Sequence, residues 1–215
     1  MTAARRLRVI KLSGSLFDMP HLHSRLSHWS ARQTAALSVW ISGGGEFVES
    51  LRRWQSTHGM DDQRAHLAAI DLMSFTVKLV QSWWPHWPIW VDLAELRVWI
   101  DETLPPRTSD TSPVAALFDC RQWLATREDL PRSWTVTSDS IAAALASELE
   151  ADELVLLKSV VPSAEIERDA LSSTGVVDPY FEIAAQSVPN IRIVNLRTDH
   201  DDEWTSAPIK PRQVP

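Results

Sequence analysis

Two lysines, one aspartate and a run of glycines are the residues of this 215-residue chain whose types and settings suggest chemistry. Lys11 lies near the end of the apolar run Leu7-Arg8-Val9-Ile10-Lys11-Leu12, and Ser13-Gly14-Ser15 follows. Gly43-Gly44-Gly45 follows a second apolar run, Ala36 to Ile41. Lys158 closes a third, Glu153-Leu154-Val155-Leu156-Leu157-Lys158. Asp139 sits in Thr137-Ser138-Asp139-Ser140, ahead of the helical stripe Ile141, Leu145 and Leu149. If the apolar runs are parallel strands, these loops lie beyond their carboxyl ends, where open α/β sheets collect ligands. Such loops leave backbone N–H groups free, and the next helix adds its positive end, so phosphate is the natural guest. Two lysines meeting there could neutralise charge on a transferred phosphoryl group. Asp139 could hold both lysines by charge-assisted hydrogen bonds. Each residue also has a plainer reading: a solvated strand flank for either lysine, an ordinary loop for the glycines, and a favourable helix-dipole partner for Asp139. Spacing alone leaves both readings open. Neither a Walker A pattern nor a GxGxxG fingerprint is present.

The elements that must position these residues alternate. The runs at 7–12, 36–41, 114–118, 153–158 and 191–194 read as strands, with a strand stub at 89–91. Helical periodicity is expected over 20–33, 46–56, 62–83, 93–100, 140–149, 164–171 and 181–186. Pro105 to Pro113 reads as a polar loop, and Asp129-Leu130-Pro131 as a turn. Strands alternating with helices predict an α/β fold, a three-layer α/β/α sandwich around a mostly parallel sheet. The reading is one domain over residues 1–197, its acceptor half about 1–134 and its nucleotide half about 135–197, followed by a peripheral tail, 198–215.

Composition narrows the classes. Acidic residues outnumber basic ones 28 to 21, a net charge of −7, which argues against a broad nucleic-acid surface while leaving room for a local basic pocket. Cys120 is the one cysteine, so no intrachain disulfide can form, as suits a reducing compartment. No 18-residue apolar run suggests a membrane span, and Met1 to Lys11 lacks the apolar core of a signal peptide. A cytoplasmic protein is expected, with no nucleic-acid or membrane partner.

Further residues carry weaker signals. Asp62 and His66 share a face of the 62–83 helix and would touch an acceptor if that face meets Gly44 and Gly45. A solvated first turn and a satisfied histidine are the alternatives. His21, His23 and His28 match no standard ligand spacing, and no protein metal site is expected. Any Mg²⁺ should arrive with a nucleotide and be held by its phosphates. Trp83, Trp84, Trp87 and Trp90, four of 11 tryptophans, read as core or subunit contact rather than a ring-binding site. Cys120 reads as a small buried residue, and Pro162 as a loop or helix start.

Five segments in order carry a resemblance: Lys11-Leu12-Ser13-Gly14-Ser15-Leu16, Ser42-Gly43-Gly44-Gly45-Glu46-Phe47, Thr137-Ser138-Asp139-Ser140-Ile141-Ala142, Leu156-Leu157-Lys158-Ser159 and Gly175-Val176-Val177-Asp178-Pro179. Over roughly residues 7 to 181 the chain resembles the amino acid kinase superfamily, of aspartokinase and uridylate kinase type. The segments around Trp134 to Ser140 and Leu156 to Ser159 are most similar to the branch of the archaeal aminomethylfuranmethanol phosphate kinase. The resemblance implies an ATP- and Mg²⁺-dependent kinase acting on a small acceptor. That acceptor is expected to be a phosphomonoester, such as a furan-methanol phosphate of methanofuran-type one-carbon cofactor synthesis. A homo-oligomer, dimer or higher, is also expected. By the same resemblance Lys11 contacts the transferring group, and Gly14 and Ser15 bind phosphate through the backbone. Gly43, Gly44 and Gly45 line the acceptor side, and Asp139 organises the lysines. Lys158 contacts the nucleotide phosphates, and Asp178 and Pro179 shape the nucleotide-side loop. Two departures stand out: Ser13 replaces the second glycine of many members, and no Gly-Thr-Lys or Gly-Met-Xaa-Xaa-Lys segment follows Lys158. They keep a second expectation alive, a nucleotide or oxoanion binding or storage protein of the same fold. A third is a structural or regulatory subunit that uses the Trp-rich segment as an interface.

Overall fold

Leu7–Leu12 (β1) is buried along its whole length, so both its faces must be covered, and it takes the centre of the sheet. The computed structural model describes residues 6–103, 114–161, 167–197 and 206–208. The elements follow in chain order: α1 Leu22–Ala31, β2 Leu37–Ser42, α2 Gly45–His58, α3 Asp62–Trp83, β3 Ile89–Trp90, α4 Leu93–Thr103, β4 Val114–Phe118, α5 Arg121–Ala125, α6 Ser138–Glu148, β5 Glu153–Lys158, α7 Phe181–Ala184, β6 Asn190–Asn195 and β7 Ser206–Pro208. The strand order is β3-β4-β2-β1-β5-β6-β7. The first six strands in that row pair in parallel; β7 pairs antiparallel with β6 at the edge. This is the α/β sandwich with a mostly parallel sheet that the alternation predicts.

Two apolar clusters fill the two faces of the sheet. One joins Leu7, Val9, Leu154 and Leu156 to α4, α5 and α6. The other joins Ile10, Leu12, Val155 and Leu157 to α1, and holds Trp29, Trp40 and Trp84. Side chains alternate between faces along a strand. Lys11 therefore lies on the face of Leu7 and Val9, and Lys158 on the face of Leu154 and Leu156. Both lysines emerge on the α6 side. In the β1–β5 register Lys11 pairs with Leu156, which sets Lys158 one pleat beyond it on the neighbouring strand.

Helix α6 completes the arrangement. Its buried residues include Ser140, Ala142, Ala143, Ala144 and Ala146. Small side chains let a helix lie close to a sheet, and alanine favours the helix itself. In the Trp-rich segment Trp84 is buried in the core and Trp83, Trp87 and Trp90 are half-buried against it; Trp84 stacks on Trp87 at 4.3 Å between ring centres, and His23 stacks on Trp83 at 5.8 Å. Cys120 is buried.

Some elements differ from expectation. Of the helix expected over 164–171, the described part is a single 3-10 turn, Arg168–Ala170, and Pro162 lies outside the described residues. The 181–186 helix is a four-residue turn. Helix α5 and strand β7 carry too few residues for periodicity to register. The 105–113 loop and most of the 198–215 tail lie outside the described residues.

The glycines show why they are there. A Cβ on Gly14 would lie 2.0 Å from the backbone nitrogen of Gly45, and Gly45 itself has φ +59°. The loop after β1 thus crosses the start of α2 at backbone contact, where no side chain fits. Gly59, by contrast, ends α2 at φ +72° with nothing within 4 Å of a Cβ. Urea denaturation should separate the two cases. Gly14→Ala is expected to cost about 3 kcal/mol or more, because backbone must move; Gly59→Ala is expected to cost only about 1 kcal/mol, for the left-handed conformation alone.

Candidate active site

The parallel strand ends bring Lys11, Asp139 and Lys158 to one point. Asp139 Oδ1 lies 2.8 Å from Lys11 Nζ, and Asp139 Oδ2 accepts from Lys158 Nζ at 2.5 Å. All three residues are buried. Lys158 Nζ also donates to the carbonyl of Val176 at 2.5 Å, and Lys11 Nζ donates to Ser13 Oγ at 3.2 Å. From Ser13 a chain of hydroxyls continues to Ser15 and then to Ser159. Among the described residues no donor meets Asp139 Oδ1 with hydrogen-bond geometry, and the 2.8 Å approach of Lys11 holds that oxygen by charge.

Two ammonium groups share one carboxylate. Burial pulls the Lys11 ammonium down to about 8, against the attraction of Asp139 and with the help of Lys158. For Asp139, burial alone would raise the carboxyl, but the two lysines overcome it and hold it at about 2. The surplus cation is what an incoming anion would find.

Asp178 positions Asp139 rather than facing the cleft. Its carboxylate accepts from Thr137 N at 3.0 Å, Thr137 Oγ1 at 2.7 Å and Ser140 N at 3.1 Å, and from the Ser140 hydroxyl. These are the free donors of the first turn of α6, whose own N-cap side chain makes no capping bond. Burial raises the Asp178 carboxyl, and the Ser140 hydroxyl opposes that rise.

A cleft of about 900 Å³ opens on these groups. Lys11, Gly14, Ser15, Gly44, Gly45, His66, Asp139 and Lys158 line it; Gly43, Asp62, Asp178 and Pro179 do not. Gly43 lies behind, where a Cβ would meet Gly14 N at 2.9 Å and Ser138 Oγ at 3.0 Å. Asp62 instead accepts from Gln55 at 2.7 Å. His66 is buried in the wall; burial lowers its imidazole, a backbone bond at Ser133 opposes this, and Arg132 adds to it. Helix α2 begins at Gly45, which lines the cleft, without a side-chain cap, so no capping side chain occupies its first N–H groups.

Ser13, Ser159, Arg52, Trp134 and Arg197 also line the cleft, and none of them is a sequence candidate. A signal for Arg52 exists: positions 45, 48 or 49, and 52 fall on one helix face, which carries the glycine loop's side of α2 up to Arg52. Trp134 and Ser159 sit inside segments that carry the family resemblance.

Asp139→Asn would strand two buried ammonium groups and is expected to cost about 3–5 kcal/mol at pH 7 in urea denaturation, whereas Lys11→Met, which leaves the Asp139–Lys158 pair intact, should cost far less. The pH dependence has two limbs. Lys11 titrates at about 8 in the fold against 10.5 when free. The folded state therefore bears the full cost of the buried ammonium below pH 8 and is relieved of it as pH rises towards 10.5. The Asp139→Asn penalty should shrink over that range. Asp139, at about 2 against 3.8, contributes stability that is whole above pH 3.8 and drains away as pH falls towards 2.

No family model matches the chain, and no curated protein matches it in sequence. Solved structures do. The UMP kinase of Ureaplasma parvum superposes with a TM-score of 0.61 at 14% identity, covering 95% of this chain and 100% of that one. The UMP kinase of Bacillus anthracis gives 0.60 at 13%, with the same coverage. The aspartate kinase of Synechocystis gives 0.53 at 18%, over 97% of this chain and 40% of that one. With its six parallel strands in this order and its glycine loops at the strand ends, the chain has the fold these enzymes share, the amino acid kinase fold.

Proposed function

We propose that the chain is an ATP-dependent kinase that passes the γ-phosphoryl group of ATP to a small acceptor. The observation that carries the reading is the meeting of Lys11 and Lys158 on Asp139 at the mouth of a cleft edged by an uncapped helix N-terminus. The donors present fit a polyphosphate. Lys11 and the uncapped N–H groups of α2 face the transferring group, Lys158 and Ser159 face the nucleotide phosphates, and the backbone at Gly14 and Ser15 cradles oxygen atoms. Asp139 keeps both ammonium groups aimed, so the charge of transfer meets a preorganised site. The nucleotide lies over the half formed by residues 135–197, and the acceptor lies by Gly44, Gly45 and His66. Each carboxylate that lines the cleft is ion-paired: Asp18 with Arg197, Glu46 with Arg53, Glu49 with Arg52, and Asp139 with the lysines. Mg²⁺ would thus be held by the phosphates of the nucleotide, where it would screen their charge.

The new bond joins an acceptor oxygen to the γ-phosphorus while the bridge to ADP breaks. A phosphate oxygen is already deprotonated at neutral pH and needs no base, in keeping with a phosphomonoester acceptor and with carboxylates tied to cations. That this acceptor is a furan-methanol phosphate of methanofuran-type synthesis rests on the family resemblance alone. One observation favours the alternative of a nucleotide or oxoanion binding or storage protein: among the described residues past Lys158, only Ser159, Val160 and Arg197 reach the cleft.

ADP release from ATP and Mg²⁺ across a panel of phosphomonoesters separates the two readings. Turnover should be seen, and Lys11→Ala and Lys158→Ala should each lower it about 10²-fold or more, about 2.7 kcal/mol, with the fold retained. ATP binding by calorimetry without ADP release would favour storage, and unchanged turnover in both variants would remove the lysines from the reaction.

A further inference from the structure

The part of the cleft wall drawn from α2, α3 and the segment before α6 contains one cation that the phosphoryl-transfer reading leaves unused. Arg52 lies with its guanidinium 4.1 Å from the centre of the Trp134 ring. The carboxylate it pairs with, Glu49, is 3.7 Å from its Nε, beyond hydrogen-bond reach. That Nε is shielded from water and has no hydrogen-bond partner among the described residues. At 4.1 Å the ring face of Trp134 attracts the cation without using its N–H donors.

Trp134 is itself fixed. Its Nε1 donates to Gln55 Oε1 at 2.7 Å, and Gln55 Nε2 donates to Asp62 Oδ1 at 2.7 Å and to the Met60 carbonyl at 3.2 Å. Asp62 is thus linked to Arg52 through Gln55 and Trp134. On this side of the cleft Phe47, Val48, Ala69, Ile70 and Met73 supply apolar wall, beside the polar Glu46, Glu49 and His66.

We propose that Arg52 reads the acceptor, and that the acceptor is a small molecule with an apolar body and an oxoanion group, phosphate or carboxylate. The assignment rests on reading this side of the cleft as the acceptor side. An amino acid fits it poorly. Its ammonium group would enter a wall whose carboxylates are already paired, and its polar backbone would face Phe47, Ile70 and Met73.

Calorimetric titration of the full chain with phenyl phosphate, benzoate and benzyl alcohol tests this, using wild type, Arg52→Gln, Arg52→Lys and Lys158→Met. At least one of the two anions should bind wild type, and Arg52→Gln should weaken it about tenfold or more, about 1.4 kcal/mol. Arg52→Lys should fall between, because it keeps the charge and loses the planar fork. Benzyl alcohol should not distinguish wild type from Arg52→Gln. Whether phenyl phosphate or benzoate binds more tightly decides between phosphate and carboxylate. The proposal is overturned if neither anion binds wild type at millimolar concentration. It is equally overturned if Arg52→Gln binds the anions as wild type does, or if Lys158→Met abolishes binding while Arg52→Gln does not. Failure of the kinase reading is separate: a chain that releases no ADP would still show, or fail to show, anion binding that depends on Arg52.

Discussion

Asp139 sits between two buried ammonium groups, and the rest of the site follows from what is needed to keep it there. Removing a lysine from water costs several kcal/mol, and Asp139 must offset that cost for both, with Asp178 adding a smaller attraction on Lys11. The balance is visible in the titration of the partners, with Lys11 drawn down to about 8 and Asp139 held at about 2. Such an arrangement holds only if the three groups cannot drift apart. Adjacent parallel strands fix the lysines, a small-residue helix brings the carboxylate near, and Asp178 closes that helix's first turn from another part of the chain. The tension is also useful. A site with more positive than negative charge at its centre is most stable when an anion occupies it.

The loops that frame this centre are held by a different force, steric contact between backbones. Gly14 and Gly45 touch where any side chain would collide. The glycine crossing is therefore demanded by packing, whatever the loops receive as a ligand. Asp139 lies in a helix first turn and also between the lysines.

Much of this was legible in the sequence. Alternating apolar runs and helices gave the layers, and the position of Lys11 and Lys158 at the ends of two such runs placed both beside a ligand edge. Strand alternation even sets them on the same face once β1 and β5 are known to be neighbours. What sequence could not supply was partnership at long range. The family resemblance assigns Asp178 to a nucleotide-side loop, and its bonds go to Thr137 and Ser140, about forty residues earlier. Asp62 reads as a contact residue because its helix face points the right way, yet Gln55 captures it. Short elements escaped for another reason: four or five residues contain barely one turn of helix, so neither α5 nor α7 could announce its length.

Helix α2 contributes six residues to the wall of the cleft and not one fully buried residue to the core. It is fastened at its ends, by the glycine crossing at Gly45 and by the Gln55 bonds to Trp134 and Asp62. Between those fastenings it rests on half-buried side chains, Val48 and Leu51 among them, and on the contact of Phe47 with Phe75. Such a segment can change the surface it turns to the cleft while the buried charge cluster on the neighbouring strands and α6 stays as it is.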